Sequence, residues 1–441
     1  MFTNRDLYKL IIPLIIEQLL AVTVGMADVM MVATAGEAAV SGVSLVDMIN
    51  VLIINIFAAL ATGGAVVCAQ CIGRKQKKEA GEYAKQLLFI VSTISITIAL
   101  FVLIFKEPLL QLVFGKIEAE VMKNALTYII ISALSYPFLA LYNGVAALFR
   151  AIGNSKISMK ISILMNVLNI IGNAIFVFGF NMGVAGVALS SLFSRMLAAC
   201  MMLILLNKPN ELLYIESLWK IRPEGWRLKR ILGIGIPNAL ENSMFQLGRV
   251  LVVSIISGFG TVQIAANAVA NNLDALGCIP GQAMSLAMIT VVGQCVGAGD
   301  YKAVKYYTKK LLKMTYVFTI LVNASILIGL PFILSIYKLS PETLKLATIL
   351  VLIHDGCAML MWPAAFTLPN ALRAANDVKF TMVVSIFSMW TFRILFSVIL
   401  GKGMGLGAIG VWIAMIMDWI FRLTCFIIRF RREKWRLKSG L

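Results

Sequence analysis

The chain has 441 residues, of which 60% are hydrophobic and only 14% charged. Its mean hydropathy of +0.90 excludes a water-soluble fold, which needs more polar surface than this to cover itself. In a soluble protein the formal net charge of +18 would point to nucleic acid, but here the lysines and arginines sit between apolar runs, so the charge reads as a topology signal and no nucleic acid is expected.

Twelve apolar runs, each near the ~20 residues a helix needs to cross ~30 Å of hydrocarbon, lie near 11–33, 45–70, 87–105, 125–149, 161–180, 184–206, 231–256, 263–296, 314–337, 347–370, 380–400 and 408–428. The first carries Glu17 and Asp28 and no small-residue cleavage site, so it is expected to be a retained helix and not a signal peptide. With the N-terminus inside, only Lys106, Lys116, Lys123, Lys338, Lys345 and Lys402 fall in outer loops, which places both termini in the cytoplasm. All seven cysteines lie in apolar spans, where a thiol behaves as a small hydrophobe, so neither a disulfide framework nor a metal motif at Cys68 and Cys71 is expected.

The two halves repeat each other. Pro13 to Gln18 recurs as Pro237 to Asn242 at a displacement of 224, which also relates Gly36 to Gly260 and Gln70-Cys71-Ile72-Gly73 to Gln294-Cys295-Val296-Gly297. At 223, Phe149-Arg150-Ala151 and Lys156 are echoed by Leu372-Arg373-Ala374 and Lys379. Six spans per half return the chain to its starting side, so the repeats are expected to lie parallel. The fold class is therefore an all-α integral membrane protein, with twelve transmembrane helices in two parallel-repeat six-helix lobes around a central cleft. The expected boundaries are an N-lobe over 1–206, a cytoplasmic linker over 207–230, a C-lobe over 231–428 and a basic tail over 429–441. Leu212, Tyr214, Leu218 and Trp219 give the linker an amphipathic, interfacial character, and Trp435 suggests that the tail lies against the inner leaflet. Gly405-x-Gly407-x-x-Gly410 spells a dinucleotide fingerprint but enters a membrane span without a preceding strand, so it reads as a tight outer loop, as do Gly179, Gly183 and Gly186.

An ionisable group in the bilayer centre costs ~2.5–3.5 kcal/mol even on the lenient insertion scale, so each needs a partner, a wet cavity or a function. Asp47, Asp418 and Arg422 lie near helix ends, where snorkelling suffices. Glu17 and Asp28 are eleven residues apart on one helix, hence on one face and ~16 Å apart in height, at two depths of one cavity. Asn166, Asn169 and Asn173 share a face of the fifth helix; Asn166 reads as interhelical glue, whereas Asn169 and Asn173 can offer carbonyl oxygens to a cation beside Asp28, with Ser190 or Ser191 adding a hydroxyl. In the second half, Glu241, Asn242 and Gln246, with Asn267, Asn271 and Asp274, make polar stripes on two helices, and Arg249 can neutralise either Asp274 or Glu241. The single histidine, His354, adjoins Asp355 and raises the alternative of a membrane-embedded enzyme. Met359, Met361, Trp362, Pro363 and Phe366 form a kinked, aromatic segment suited to packing or to a pocket for flat lipophilic cations. The candidate substrate cavity thus comprises Glu17, Asp47, Glu241, Gln246, Asn267, Asn271, Asp274, Met361 and Trp362.

Following Pro13, the segment Gly25-Met26-Ala27-Asp28-Val29-Met30-Met31-Val32 resembles the first-helix signature of multidrug and toxic compound extrusion (MATE) transporters, within the multidrug/oligosaccharidyl-lipid/polysaccharide flippase superfamily. The resemblance spans the whole chain, through Leu148 to Asn154, Gly183 to Gly186, Ala270-Asn271 to Gln294 and Pro369 to Asp377. It implies secondary active efflux of small molecules, often cationic and amphipathic, by antiport with protons or sodium ions through alternating access of two lobes. It implies no cofactor, no resident metal, a bilayer environment in the cell membrane and a monomer. The family's N-lobe site combines a first-helix Asp with an Asn and an Asp on helix five and a Thr on helix six; the matching residues are Asp28, Asn169, Asn173 and Ser191, two of them changed. A Glu of helix seven and an Asp of helix ten, present in one branch, fall at Phe245 and Trp362, with Glu241 one turn earlier. The alternative within the superfamily is a lipid-linked oligosaccharide flippase. At a displacement of 224, Asp28 corresponds to Val252, and Asn169 and Asn173 to Arg393 and Ser397.

Overall fold

Apolar runs of this length can satisfy their own backbone in hydrocarbon only as helices. The computed structural model describes residues 2–116, 118–208, 213, 215 and 222–438. Among these, twelve helices are long and apolar enough to cross a membrane: α1 (Asn4–Ala33), α2 (Glu37–Gly73), α3 (Lys77–Phe114), α4 (Ala119–Ala151), α5 (Ser155–Gly179), α6 (Gly183–Leu206), α7 (Gly225–Ser257), α8 (Thr261–Gly297), α9 (Tyr301–Ile336), α10 (Pro341–Ala374), α11 (Val378–Gly403) and α12 (Gly407–Arg431). Most outrun the apolar stretch that announces them. At 38 residues α3 is ~57 Å long and projects well past the hydrocarbon. Leu112, Ile328 and Phe332 are among the outward side chains left exposed, as a lipid-facing surface requires.

The repeat is visible in the elements. Helices α2 and α8 both have 37 residues, start 224 positions apart and are the two most buried spans. In the first repeat α5 contains one π turn, Ala174–Gly179; its counterpart α11 contains two, Met389–Leu395 and Ser397–Gly403. With 26 residues against 25, α11 has one residue more than α5. A single inserted residue in an α-helix is absorbed in this way, and it explains why the displacement is 223 at Arg150 and Arg373 but 224 at Gly183 and Gly407.

The chain divides into two compact units, Thr3–Ala239 and a second from Leu240 onward that takes in Phe2. The division falls within α7, which begins at Gly225, inside the stretch expected as linker. Leu212, Tyr214, Leu218 and Trp219 lie outside the described residues. Gly405 and Gly407 adopt positive φ angles of 69° and 58°, which glycine alone takes without strain, and these turn the chain from α11 into α12. No strand occurs among the described residues, so the glycine pattern here is a loop and not a nucleotide cradle. The tail departs from expectation. Trp435 is buried, stacked on Phe430 at 5.8 Å and edge-on to Tyr301, so this indole is a packing element of the second unit and not an anchor on the leaflet.

The two units share a buried ion pair in an equivalent place. Glu17 of α1 meets Arg150 of α4 at 3.3 Å and accepts a hydrogen bond from Ser158 at 2.9 Å. Glu241 of α7 meets Arg373 of α10 at 2.7 Å, and Arg373 also donates to Asn370. Breaking a buried pair strands the remaining charge, which is costlier than deleting both partners. Glu17→Gln and Glu241→Gln are each expected to lower stability by about 3 kcal/mol, while Glu17→Leu combined with Arg150→Met recovers most of the loss. Thermal unfolding in detergent, followed by tryptophan fluorescence, checks this; unfolding midpoints equal to that of the unaltered chain would show that the pairs do not fasten the units.

Candidate functional site

In the first unit, Asp28 stands on α1 opposite α5. Asn173 donates through Nδ2 to Asp28 Oδ1 at 2.6 Å and lies 3.4 Å from Asn169 Oδ1; Asn169 in turn donates to Ser191 Oγ on α6 at 3.0 Å. The structure therefore brings Asp28, Asn169, Asn173 and Ser191 into one chain of contacts. The i, i+4 spacing of the two asparagines stacks their amides on one helix face, immediately before the π turn of α5. Asn173 is fully buried and its Oδ1 has no hydrogen-bond partner. An unfilled carbonyl oxygen next to a carboxylate is an acceptor pair suited to a proton or a small cation.

Sequence reasoning passed over Gly172. A side-chain carbon there would come within 2.4 Å of Ser190 Oγ, and this missing carbon lets Ser190 donate to the backbone carbonyl of Asn169 at 2.6 Å. The only available signal was a glycine inside a helical polar stripe.

Asp47 on α2 accepts from Asn50 at 3.2 Å, and Asn50 accepts from Tyr136 at 2.8 Å. Arg195 donates to Ser135 at 2.8 Å and lies within electrostatic range of both Asp28 and Asp47. Glu17 and Asp28 both reach α5, but Glu17 is buried and bonded to Arg150 and Ser158, apart from the chain of contacts at Asp28.

In the second unit several expectations change. Glu241 is buried and taken by Arg373, a structural pairing that sequence reasoning did not assign to it. Trp362 is buried in the apolar core, stacked on Phe366 at 5.1 Å, and Met361 packs against the same core. Asp418 is fully buried in the middle of α12, bonded by Arg422 at 2.8 Å and by Ser388, so this pair is an interior network and not a snorkelling one. Asp274 does not pair with Arg249. Its Oδ1 lies 2.6 Å from Nε2 of His354, whose Nδ1 lies 2.7 Å from Asp355, and it accepts from the Cys278 thiol at 3.0 Å. Trp412 and Trp419 close on the imidazole edge-on, at 5.7 and 5.1 Å.

Asp274, Cys278 and His354 are a donor set of the kind that binds transition metals, with ligand atoms within 4.8 Å of one another. The contact within this set is closer than a metal site would hold it. Two ligands at ~2.0 Å from one tetrahedral ion stand about 3.3 Å apart, whereas Nε2 and Oδ1 here are 2.6 Å apart, an ion-pair contact. Asn267 accepts from Trp412 Nε1 at 2.9 Å, and with Asn271, Arg249 and Arg393 it lines a small cavity. Gln246 is half-buried on α7.

The sequence profile of the MatE family matches residues 13–175 and 237–399, one copy in each repeat. An uncharacterized transporter, YisQ of Bacillus subtilis (strain 168), is 28% identical over 98% of this chain and 95% of its own length. A probable multidrug resistance protein, NorM of Thermotoga maritima, is 26% identical over 99% of this chain and 94% of its own. Among solved structures, the outward-facing conformation of a multidrug resistance MATE family transporter of the MOP superfamily shares the fold with a TM-score of 0.91 at 20% identity, covering 99% of this chain and 96% of that one. A MOP superfamily transporter from Pyrococcus furiosus does so at 0.90 and 20%, covering 99% and 97%.

The close approach at Gly172 is testable by a double substitution. Gly172→Ala is expected to cost about 1–3 kcal/mol by overpacking against Ser190, and the cost should shrink by at least half in a Ser190→Ala background. Unfolding midpoints of the four proteins in the cycle decide it; equal costs in both backgrounds would remove the contact as the cause.

Proposed function

The chain belongs to the MatE family, and on that premise we propose that it is a secondary active multidrug efflux transporter, exporting cationic, amphipathic small molecules in exchange for protons or sodium ions. It is a multi-pass membrane protein; in this reading it works as a monomer in the cell membrane, with both termini cytoplasmic, by alternating access of its two repeats. The observation that carries the reading is Asp28, a carboxylate within a membrane-spanning helix whose hydrogen-bond partner is a neutral amide and not an arginine. An acid held in this way can change its charge without breaking an ion pair.

The mechanism follows from competition for that charge. Ionised Asp28 attracts a bound organic cation; a proton or sodium ion entering from outside neutralises it, removes the attraction and alters the preferred packing of α1 against α5. Release is thereby coupled to ion entry. A one-for-one exchange of monovalent cations moves no net charge, so voltage drives it only when more ions enter than leave, at ~2.3 kcal/mol per charge per 100 mV.

An enzymatic role for His354 is not supported, since both ring nitrogens are engaged by aspartates and the ring is buried between tryptophans. The flippase alternative is not favoured either, because relatives named for an activity are multidrug resistance proteins.

Efflux of a fluorescent organic cation from proteoliposomes tests the reading. An acid-outside or sodium-outside gradient is expected to drive efflux, and Asp28→Asn to reduce gradient-driven efflux at least tenfold. His354→Ala should leave efflux measurable. Undiminished coupled efflux by Asp28→Asn would refute the mechanism.

A further inference from the structure

The repeat places a counterpart of the Asp28 site in the second unit, and its polarity is inverted. At the displacement of 224, Asp28, Asn169 and Ser191 become Val252, Arg393 and Met415, and all three of these line the cavity beside Trp412. In the same wall Asp47 becomes Asn271 and Gly25 becomes Arg249. Two carboxylates have gone and two guanidiniums have arrived.

Neither guanidinium is spent on a close ion pair among the described residues. Arg393 comes only to 3.9 Å of Asp418, an acid already held by Arg422 and Ser388, and its Nε is buried without a hydrogen-bond partner. Asp274, the acid one turn from Asn271, is occupied by His354 and Cys278. Asn267 uses its oxygen to accept from Trp412, and its amide N–H groups are the donors it can offer to the cavity. Two like charges confined with amide donors in a low-dielectric wall are relieved by an anion, and a guanidinium meets a carboxylate through two parallel hydrogen bonds. The rest of the wall, Val252, Val411, Met415 and the Trp412 ring, is apolar.

We propose that this cavity binds the carboxylate of an organic acid or zwitterion, with Arg249 and Arg393 on the carboxylate and the apolar wall on its hydrocarbon body. The inference adds a ligand class to the transport reading but does not depend on it, since binding is measured without any gradient.

Calorimetric titration of the full chain in detergent with 1-naphthaleneacetate tests it, beside 1-naphthylmethylamine, which carries the same rings on a cation, and inorganic phosphate. Naphthaleneacetate should bind one-to-one. Arg393→Gln and Arg249→Gln should each weaken it at least tenfold, as should Val252→Asp, which returns the acid of the first unit to this wall. Arg393→Lys, which keeps the charge, should retain more of the affinity than Arg393→Gln; this comparison and monodisperse gel filtration separate loss of the site from loss of the fold. Asp28→Asn should leave naphthaleneacetate binding unchanged. Binding within twofold of the unaltered chain in both arginine-to-glutamine variants would overturn the proposal, as would absence of binding or displacement by equal concentrations of phosphate. Failure of the amine to bind would count against the cation reading of Asp28 and leave the carboxylate site standing.

Discussion

A charge buried in hydrocarbon must be matched, and the way each one is matched sorts this protein's ionisable residues into fixed and movable ones. Glu17, Glu241 and Asp418 are held by arginines from the same unit. Removing charge from any of them strands a guanidinium and loosens the helices they join. Asp274 and Asp355 share one imidazole between them, an intermediate case in which one proton has several resting places. Asp28 is at the other extreme. Its hydrogen-bond partner is an amide, which loses little when the carboxyl becomes neutral.

The duplicated scaffold explains why Glu17 and Glu241 come in equivalent places, whereas Asp28 falls opposite Val252. Glu17 and Glu241 occupy matched turns of α1 and α7, and each reaches an arginine near the end of the matched helix, α4 or α10. These bonds belong to the frame, since losing one partner leaves an uncompensated charge between the helices they join. The walls of the two equivalent sites face no such demand. One retains carboxylates and amides; the other has traded them for arginines, a valine and a methionine. The second site also lies beside the extra π turn of α11, where an inserted residue rotates the helix relative to its counterpart, so the two walls differ in backbone as well as in side chains.

The helices were legible because hydrocarbon thickness sets a length that composition reveals directly. Their ends were not, since the turns beyond the apolar region are polar and helical for reasons of packing. Asp28, Asn169, Asn173 and Ser191 could be grouped from helical spacing and family resemblance. The partners of Glu17 and Glu241 could not, because Arg150 and Arg373 stand more than 130 residues away in sequence and no local pattern reports the contact. Trp362 and Met361 were ambiguous in principle, since soft aromatic surface serves a pocket and a core equally well and only burial separates them. Trp435 misled for a related reason. A tryptophan in a basic tail has the composition of a membrane anchor, but Phe430 and Tyr301 offer it a drier place.

On the proposed mechanism, the replacement of an acid by Asn173 narrows what the first site can do. An aspartate there would add a second negative charge beside Asp28 and favour a cation cage. An asparagine brings a donor and an acceptor instead. Its N–H already serves Asp28 in the ionised state, and its unpartnered Oδ1 is the acceptor that a protonated carboxyl, with a new O–H to satisfy, would require. Rotation of one amide can therefore serve both charge states without stranding a polar group in either.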